Sequence, residues 1–220
     1  MRSTTAAYVG PFLVFVLLMS GLPRLGIGPE LGYPIRTLAA LAAWWWLSRG
    51  LIPPRLTQPL GSLLLGVAVF VIWIGPDLLW PQYRRHWLFE NALTGAARST
   101  VEAALRNDPV FLGFRIFGSV LVVPVIEELF WRGWLMRWLA GPEFERVPLG
   151  TYAPRAFWVT AILFGLEHGP YWDVGLSAGV AYNWWVVRTR NLADCVLAHG
   201  VTNACLAGYV LASGDWSYWL

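Results

Sequence analysis

V-I-E-E-L-F-W-R-G-W-L-M-R-W, residues Val125 to Trp138, sets two adjacent carboxylates and an arginine inside an otherwise apolar, helix-like run. An ionisable group near the centre of a bilayer costs a few kcal/mol or more, so one found there is expected to face a bundle interior or a wet cavity. Glu128 and Arg132 lie four residues apart, on one helical face, with the acid N-terminal to the base, the better orientation for a local ion pair. Glu127 is turned about a hundred degrees from that face and lacks the partner. The stretch therefore predicts a division of labour in which Glu128 and Arg132 hold each other while Glu127 is left for chemistry. The plainer alternative is an interfacial helix end where all three reach water.

Working outward, the 220 residues are 57% hydrophobic and only 13% charged, with a mean hydropathy of +0.52, beyond the usual apolar share of soluble domains. This composition implies an all-α, polytopic transmembrane helical bundle. Apolar runs suited to a hydrocarbon core of about 30 Å occur at Ala6 to Leu22, Ile35 to Ile52, Leu60 to Trp80 and Phe111 to Trp131. Further runs follow at Phe157 to His168, Val174 to Val187 and Leu192 to Ala212, giving about seven spans, within a range of six to eight. Arg2 followed by an apolar run without an A-x-A-like site reads as a first span rather than a removable signal peptide.

All 16 basic residues are arginine and none forms a cluster or tail, so the net charge of +3 offers no block for nucleic acid. Their distribution over seven spans favours a cytoplasmic N-terminus. Cys195 and Cys205 are ten residues apart in one apparent helix, about 15 Å of rise, too far for a disulfide. Gln82 to Pro109 is the longest polar segment; Ser99 and Glu102 have capping-box spacing, so it reads as a surface-lying amphipathic helix. Gly141 to Arg155, with Pro142, Pro148 and Pro154, reads as a loop.

Two of the three histidines fall in late apolar runs. His168 closes F-G-L-E-H, one turn after Phe164, beside Glu167 and just before the helix-breaking Gly169-Pro170. His199 opens H-G-V-T-N, with Asn203 on its own helical face. A single buried histidine is commonly structural, but a carboxylate, two imidazoles and an amide in separate spans make sense if they converge on one water-filled site. Such a set suits amide hydrolysis: Glu127 takes a proton from water, His168 orients or deprotonates that water, and His199 with Asn203 stabilises the oxyanion. The catalytic cavity is then expected among the later helices. A divalent metal such as zinc is the rival use of Glu127, His168 and His199, but H-E-x-x-H is absent and Phe164 stands where H-x-x-E-H needs its first histidine. No cofactor is favoured.

The ordered trio Glu127-Glu128-Leu129-Phe130-Trp131-Arg132, Phe164-Gly165-Leu166-Glu167-His168 and His199-Gly200-Val201-Thr202-Asn203 resembles the pattern of the CPBP family, the CAAX prenyl protease and bacteriocin-processing membrane proteins. That resemblance covers roughly Leu112 to Leu211. It implies an intramembrane endopeptidase with Glu127 and His168 activating water, His199 and Asn203 forming the oxyanion site, and Glu128, Arg132, Phe164 and Glu167 supporting them. The family has been described both as metal-dependent and as glutamate-dependent without metal, and the latter is favoured. The chain then divides into N-terminal transmembrane helices with the interfacial segment, residues 1–110, and a catalytic helical core, residues 111–220, within one integral membrane domain. The implied partners are the bilayer and a membrane-anchored or lipidated protein or peptide substrate. The short length and Trp-rich, Arg-only composition also resemble a bacterial branch associated with protein sorting, which implies a multi-pass protein of the bacterial plasma (inner) membrane.

Two other classes fit parts of the chain. Gly175-Leu176-Ser177-Ala178-Gly179 matches G-x-S-x-G, and Ser177 with His199 would make a rhomboid-like Ser/His dyad, although Gly175 and Gly179 are more simply a small-residue packing face. Cys195, four residues before His199, is a further candidate nucleophile. Paired acids and histidines also suit a proton-coupled transporter, or a non-catalytic immunity or sorting partner.

Overall fold

A computed structural model describes residues 4–219, and the described residues are helical with no strand. Seven main helices form the bundle: α1 Thr4–Gly21, α2 Pro29–Leu47, α3 Pro59–Leu79, α4 Pro109–Ala140, α5 Pro154–Leu166, α6 Trp172–Thr189 and α7 Leu192–Ser213. Each of the seven apolar runs corresponds to one of them. Four helical segments, Thr4–Leu25, Pro59–Leu79, Pro109–Ala140 and Leu192–Ser213, are long and apolar enough by length and composition to cross a membrane.

The helix starts follow from local chemistry. α2, α3, α4 and α5 each begin with proline, whose missing N–H is unneeded in the first turn and whose φ suits the helix. Asp108 caps α4 by accepting from Val110 N at 2.8 Å and Phe111 N at 3.0 Å. α3 is capped from another helix: the buried Asp194 of α7 accepts from Thr57 N at 2.9 Å, from Gln58 N at 3.1 Å and from the Thr57 hydroxyl.

α4 is the longest helix, at 32 residues, and it widens twice into π turns, at Gly118–Val122 and Leu129–Leu135. In the first, Val123 N–H bonds Gly118 O, five residues back. The next donor in that register falls at Pro124, which has no N–H, so the Ser119 carbonyl is left for a partner outside the helix. The second π turn carries Arg132. Such bulges cluster at functional sites because they re-aim side chains without ending the helix.

The helices around α4 approach closely where side chains are small. A Cβ on Gly66 of α3 would lie 2.5 Å from the Ala198 carbonyl of α7, so only glycine permits that crossing. α5 and α6 pack as a hairpin in which a Cβ on Gly179 would lie 2.9 Å from Ala161 O, and one on Gly175 3.1 Å from His168 Nδ1. The G-x-S-x-G stretch is thus a packing face. The main apolar core joins Phe12, Ile126, Leu129, Phe164, Tyr182 and Ala198 from α1, α4, α5, α6 and α7.

The expected amphipathic helix over Gln82 to Pro109 does not form. The segment is irregular, with short 3-10 turns at Tyr83–Arg85 and Ala103–Asn107. Ser99 does not cap a helix; its hydroxyl donates to Trp219 O at 3.2 Å and accepts from Val101 N at 3.0 Å. Arg84 instead ties the segment down, reaching Asp77 at 3.0 Å, Pro170 O at 2.9 Å and the carboxylate of Asp173. Burial works against the charge of Arg84, but the Asp173 and Asp77 carboxylates outweigh it and hold the guanidinium above its ordinary pKa. Gly141 to Arg155 is a loop with one 3-10 turn, Phe144–Arg146, as its prolines suggest.

Candidate active site

The second π turn and its flank hold the buried charge cluster. Glu128 and Arg132 are both 0% exposed, with Arg132 Nη1 3.0 Å from Glu128 Oε1. This is the pair anticipated from their spacing. It is held from two further helices, because Arg132 Nε donates to Asn183 Oδ1 of α6 at 2.8 Å and Asn183 Nδ2 donates to Phe157 O of α5 at 2.8 Å. The guanidinium also lies over the Phe164 ring at 4.4 Å. Buried ions need this saturation of hydrogen bonds, since Coulomb attraction alone rarely offsets their desolvation.

Glu128 does more than pair with Arg132. The same Oε1 lies 2.9 Å from His199 Nδ1, and Oε2 accepts from Cys195 Sγ at 3.1 Å. The contact orients the imidazole and leaves Nε2 as the ring's other polar atom. Tyr182 stacks on the ring at 5.0 Å, and its hydroxyl donates to Thr202 Oγ1 at 2.7 Å. On the neighbouring hairpin, His168 Nδ1 lies 2.7 Å from Phe164 O, which can only accept, so the proton sits on Nδ1 and Nε2 carries the lone pair. Phe164 is the spacer of the site: its ring centroid is 4.8 Å from that of His168 and 6.0 Å from that of His199.

Glu127, His168, His199 and Asn203 all line one cavity of about 160 Å³. One carboxylate oxygen of Glu127, Oε2, is buried with no hydrogen-bond partner among the described residues. A buried polar atom facing a cavity lined by two imidazoles and an amide is the setting in which an ordered water is expected. Asn203 enters from α7 with Nδ2 donating to Ser119 O at 2.7 Å, the carbonyl that Pro124 leaves open, and its second N–H remains for the cavity. Ser119, Trp73, Arg115, Tyr218 and Trp219 complete much of the wall.

The other candidates lie elsewhere. Glu167 does not line the cavity; it follows the last residue of α5 and is exposed at the bundle surface. Ser177 is exposed on α6, its hydroxyl donated to Asp173 O at 3.1 Å, and it shares no cavity with His199. Cys195 is fully buried against Glu128 and is not in the cavity wall. Among the described residues no group of three His, Cys, Asp or Glu side chains is arranged to hold a metal ion. The Glu128 carboxylate and the Nδ1 atoms of both histidines are already engaged within the protein.

Residues 109–205, from the start of α4 to well inside α7, match the family model described as Rce1-like, type II CAAX prenyl endopeptidase. That segment is Rce1-like. The Rce1-like segment contains the ion pair, Phe164 and all four cavity residues, while α1 to α3 lie outside it. The long apolar helices together with this match support an integral membrane protein. Neither the comparison with curated proteins nor that with solved structures gave a match.

Sequence reasoning missed Asn183, Tyr182 and Thr202, which fix Arg132 and His199. Asn183, a carboxamide within an apolar helix and fully buried, was the one with a readable signal. Tyr182 and Thr202 carried none, because their roles come from the crossing of α6 and α7.

Proposed function

We propose that the protein is an intramembrane endopeptidase that cleaves a peptide bond in a lipidated or membrane-associated protein by water activated at Glu127 and His168. The observation that carries this reading is the unpartnered carboxylate oxygen of Glu127 in a cavity shared with His168, His199 and Asn203. In the first step water adds its oxygen to the peptide carbonyl carbon and gives its proton to Glu127, with His168 Nε2 accepting a hydrogen bond from the same water. The tetrahedral oxyanion accepts from Asn203 Nδ2 and from His199 Nε2. For Nε2 to donate, the His199 ring carries both protons, and Glu128 is then its counter-ion. Collapse of the intermediate breaks the C–N bond as Glu127 returns the proton to the leaving amine. No covalent bond to the enzyme forms.

The division between the two glutamates supports this assignment. Glu128 is spent on Arg132, His199 and Cys195 and has no oxygen left for a water, whereas Glu127 has one. The bacterial plasma membrane and a prenylated chain are the setting and substrate class we favour, on the resemblance of the motifs. The test is cleavage of prenylated peptides by the full chain purified in detergent, with Glu127→Gln, Ser177→Ala and Cys195→Ala assayed side by side. Abolition by Glu127→Gln alone is expected. Full activity in Glu127→Gln, or loss confined to Ser177→Ala, would overturn the mechanism.

A further inference from the structure

Gly214, at φ 71°, ends α7 in the left-handed conformation that glycine adopts freely, and the chain folds back onto the bundle. Asp215 accepts from Ser217 N at 3.2 Å and opens a 3-10 turn, Trp216–Tyr218. Tyr218 and Trp219, 8% and 4% exposed, thereby enter the wall of the cavity that holds Glu127, His168, His199 and Asn203. The rest of that wall comes from α3 to α7 and from His168, which follows α5. At about 160 Å³ the cavity has room for a water and the group it attacks, whereas a site for even a small organic ligand takes roughly 300–1,000 Å³. A peptide that passes Glu127 needs part of the wall to yield. The short turn is the part held by long bonds: Trp219 O accepts from Thr100 N at 3.2 Å and from the Ser99 hydroxyl at 3.2 Å, the Tyr218 hydroxyl donates to Asp77 at 3.2 Å, and the Tyr171 hydroxyl donates to Ser217 Oγ at 3.4 Å. Such bonds are commonest near about 2.9 Å for N–H and about 2.7 Å for O–H donors.

Resting on the protease reading above, we propose that Thr100 N–H and the Ser99 hydroxyl are a docking point for the main chain of an extended peptide substrate, and that Trp219 holds this place until a peptide displaces it. Residues 96–102 form neither helix nor strand, so the Thr100 N–H is not committed to a regular ladder. Two donors converge on one peptide oxygen, that of Trp219. Every residue of a substrate offers the same acceptor, so this contact reads the main chain rather than a side chain. The buried rings of Tyr218 and Trp219 stand where substrate side chains beside the cleaved bond would lie, and apolar side chains entering there offset the cost of exposing those rings. The turn and Trp219 are thus a competitor built into the chain, and the affinity for substrate is lowered by the fraction of time they occupy the site.

The experiment uses the full chain in detergent with one prenylated peptide. Entry to the cavity is read separately, as the rate at which a small thiol reagent modifies Ser119→Cys, a position in the cavity wall, above the background from Cys195 and Cys205 in the parent chain. Trp219→Ala loses the ring that anchors the turn, so modification should quicken roughly tenfold or more and KM should fall at least about threefold, because the docking donors are free more of the time. Ser99→Ala and Thr100→Pro should also quicken modification but raise KM, by roughly three- to tenfold for one hydrogen bond, because they remove the donors themselves. A role in folding alone would move KM the same way in all three. Equal modification rates with and without Trp219→Ala overturn the proposal, as does a rise of KM in Trp219→Ala. Peptide binding to Glu127→Gln, with the same three changes added one at a time, separates this proposal from the protease reading. Opposite shifts of Kd there without cleavage by the wild type would sink the protease and leave the docking point standing. Cleavage dependent on Glu127, with all three changes shifting KM in one direction, would do the reverse.

Discussion

His199 Nδ1 lies 2.9 Å from Glu128 Oε1, the same oxygen that takes Arg132 Nη1 at 3.0 Å. One buried carboxylate therefore ties α7 to α4 and sets the azimuth of an imidazole, while its neighbour Glu127, one residue away in the chain, faces the cavity. Adjacent acids of the same type have separate duties because a helix turns about a hundred degrees per residue.

The two glutamates should separate in measurement. Glu128→Gln leaves Arg132 buried without its counter-charge and is expected to cost about 3–5 kcal/mol. Glu127→Gln breaks no ion pair and should change stability by less than about 1 kcal/mol while abolishing cleavage. Thermal unfolding in detergent, run beside a peptide cleavage assay, gives both readings. Equal losses of Tm for the two variants would contradict the assignment.

Asn183 acts at a distance from the cavity through Arg132. Asn183→Leu removes the acceptor of Arg132 Nε and the donor to Phe157 O, and a loss of about 1.5–3 kcal/mol is expected for the hydrogen bond to the charged group. A double-mutant cycle with Glu128→Gln should show strong coupling, since both changes act on the same guanidinium. Additive effects would mean that the network is not continuous.

Pro124 makes a different kind of test. Pro124→Ala restores an N–H that can compete with Asn203 for the Ser119 carbonyl, and it removes a helix-interior proline worth about 3 kcal/mol of strain. The variant is expected to unfold at the same or a higher temperature while kcat falls, because the Asn203 amide loses the acceptor that orients it. Wild-type turnover in Pro124→Ala would show that this carbonyl does not position Asn203.

Asp194 belongs to stability alone. Asp194→Ala removes the acceptor for Thr57 N and Gln58 N at the start of α3 and should cost about 1–2 kcal/mol in thermal unfolding. KM should stay at the wild-type value, since Asp194 does not line the cavity that holds Glu127.

Reading the chain against its fold shows which signals carry. The Glu128–Arg132 pair was legible because both residues belong to one helix, where spacing of four residues defines a shared face. The approach of Glu127, His168, His199 and Asn203 was inferred from the energetic oddity of four polar groups in apolar runs, and all four do line one cavity. Ser99 misled: capping-box spacing is a local signal, and Trp219, 120 residues away, takes the hydroxyl instead. Asp194 carried no local signal, since its partners Thr57 and Gln58 lie more than 130 residues earlier in the chain.

What the sequence by itself determined is periodic and compositional: seven apolar helices, the face shared by Glu128 and Arg132, and the turned-away Glu127 all follow from hydropathy and the 3.6-residue period. Only the tertiary structure decided that His199 shares Glu128 with Arg132, that Asn203 is held by the carbonyl Pro124 leaves open, and that Arg36 meets Arg115 across one aromatic ring. Each of those contacts joins side chains from helices distant in sequence. Their partners are chosen by how closely the helices cross, a property of packed volumes that no single helix carries in its own pattern.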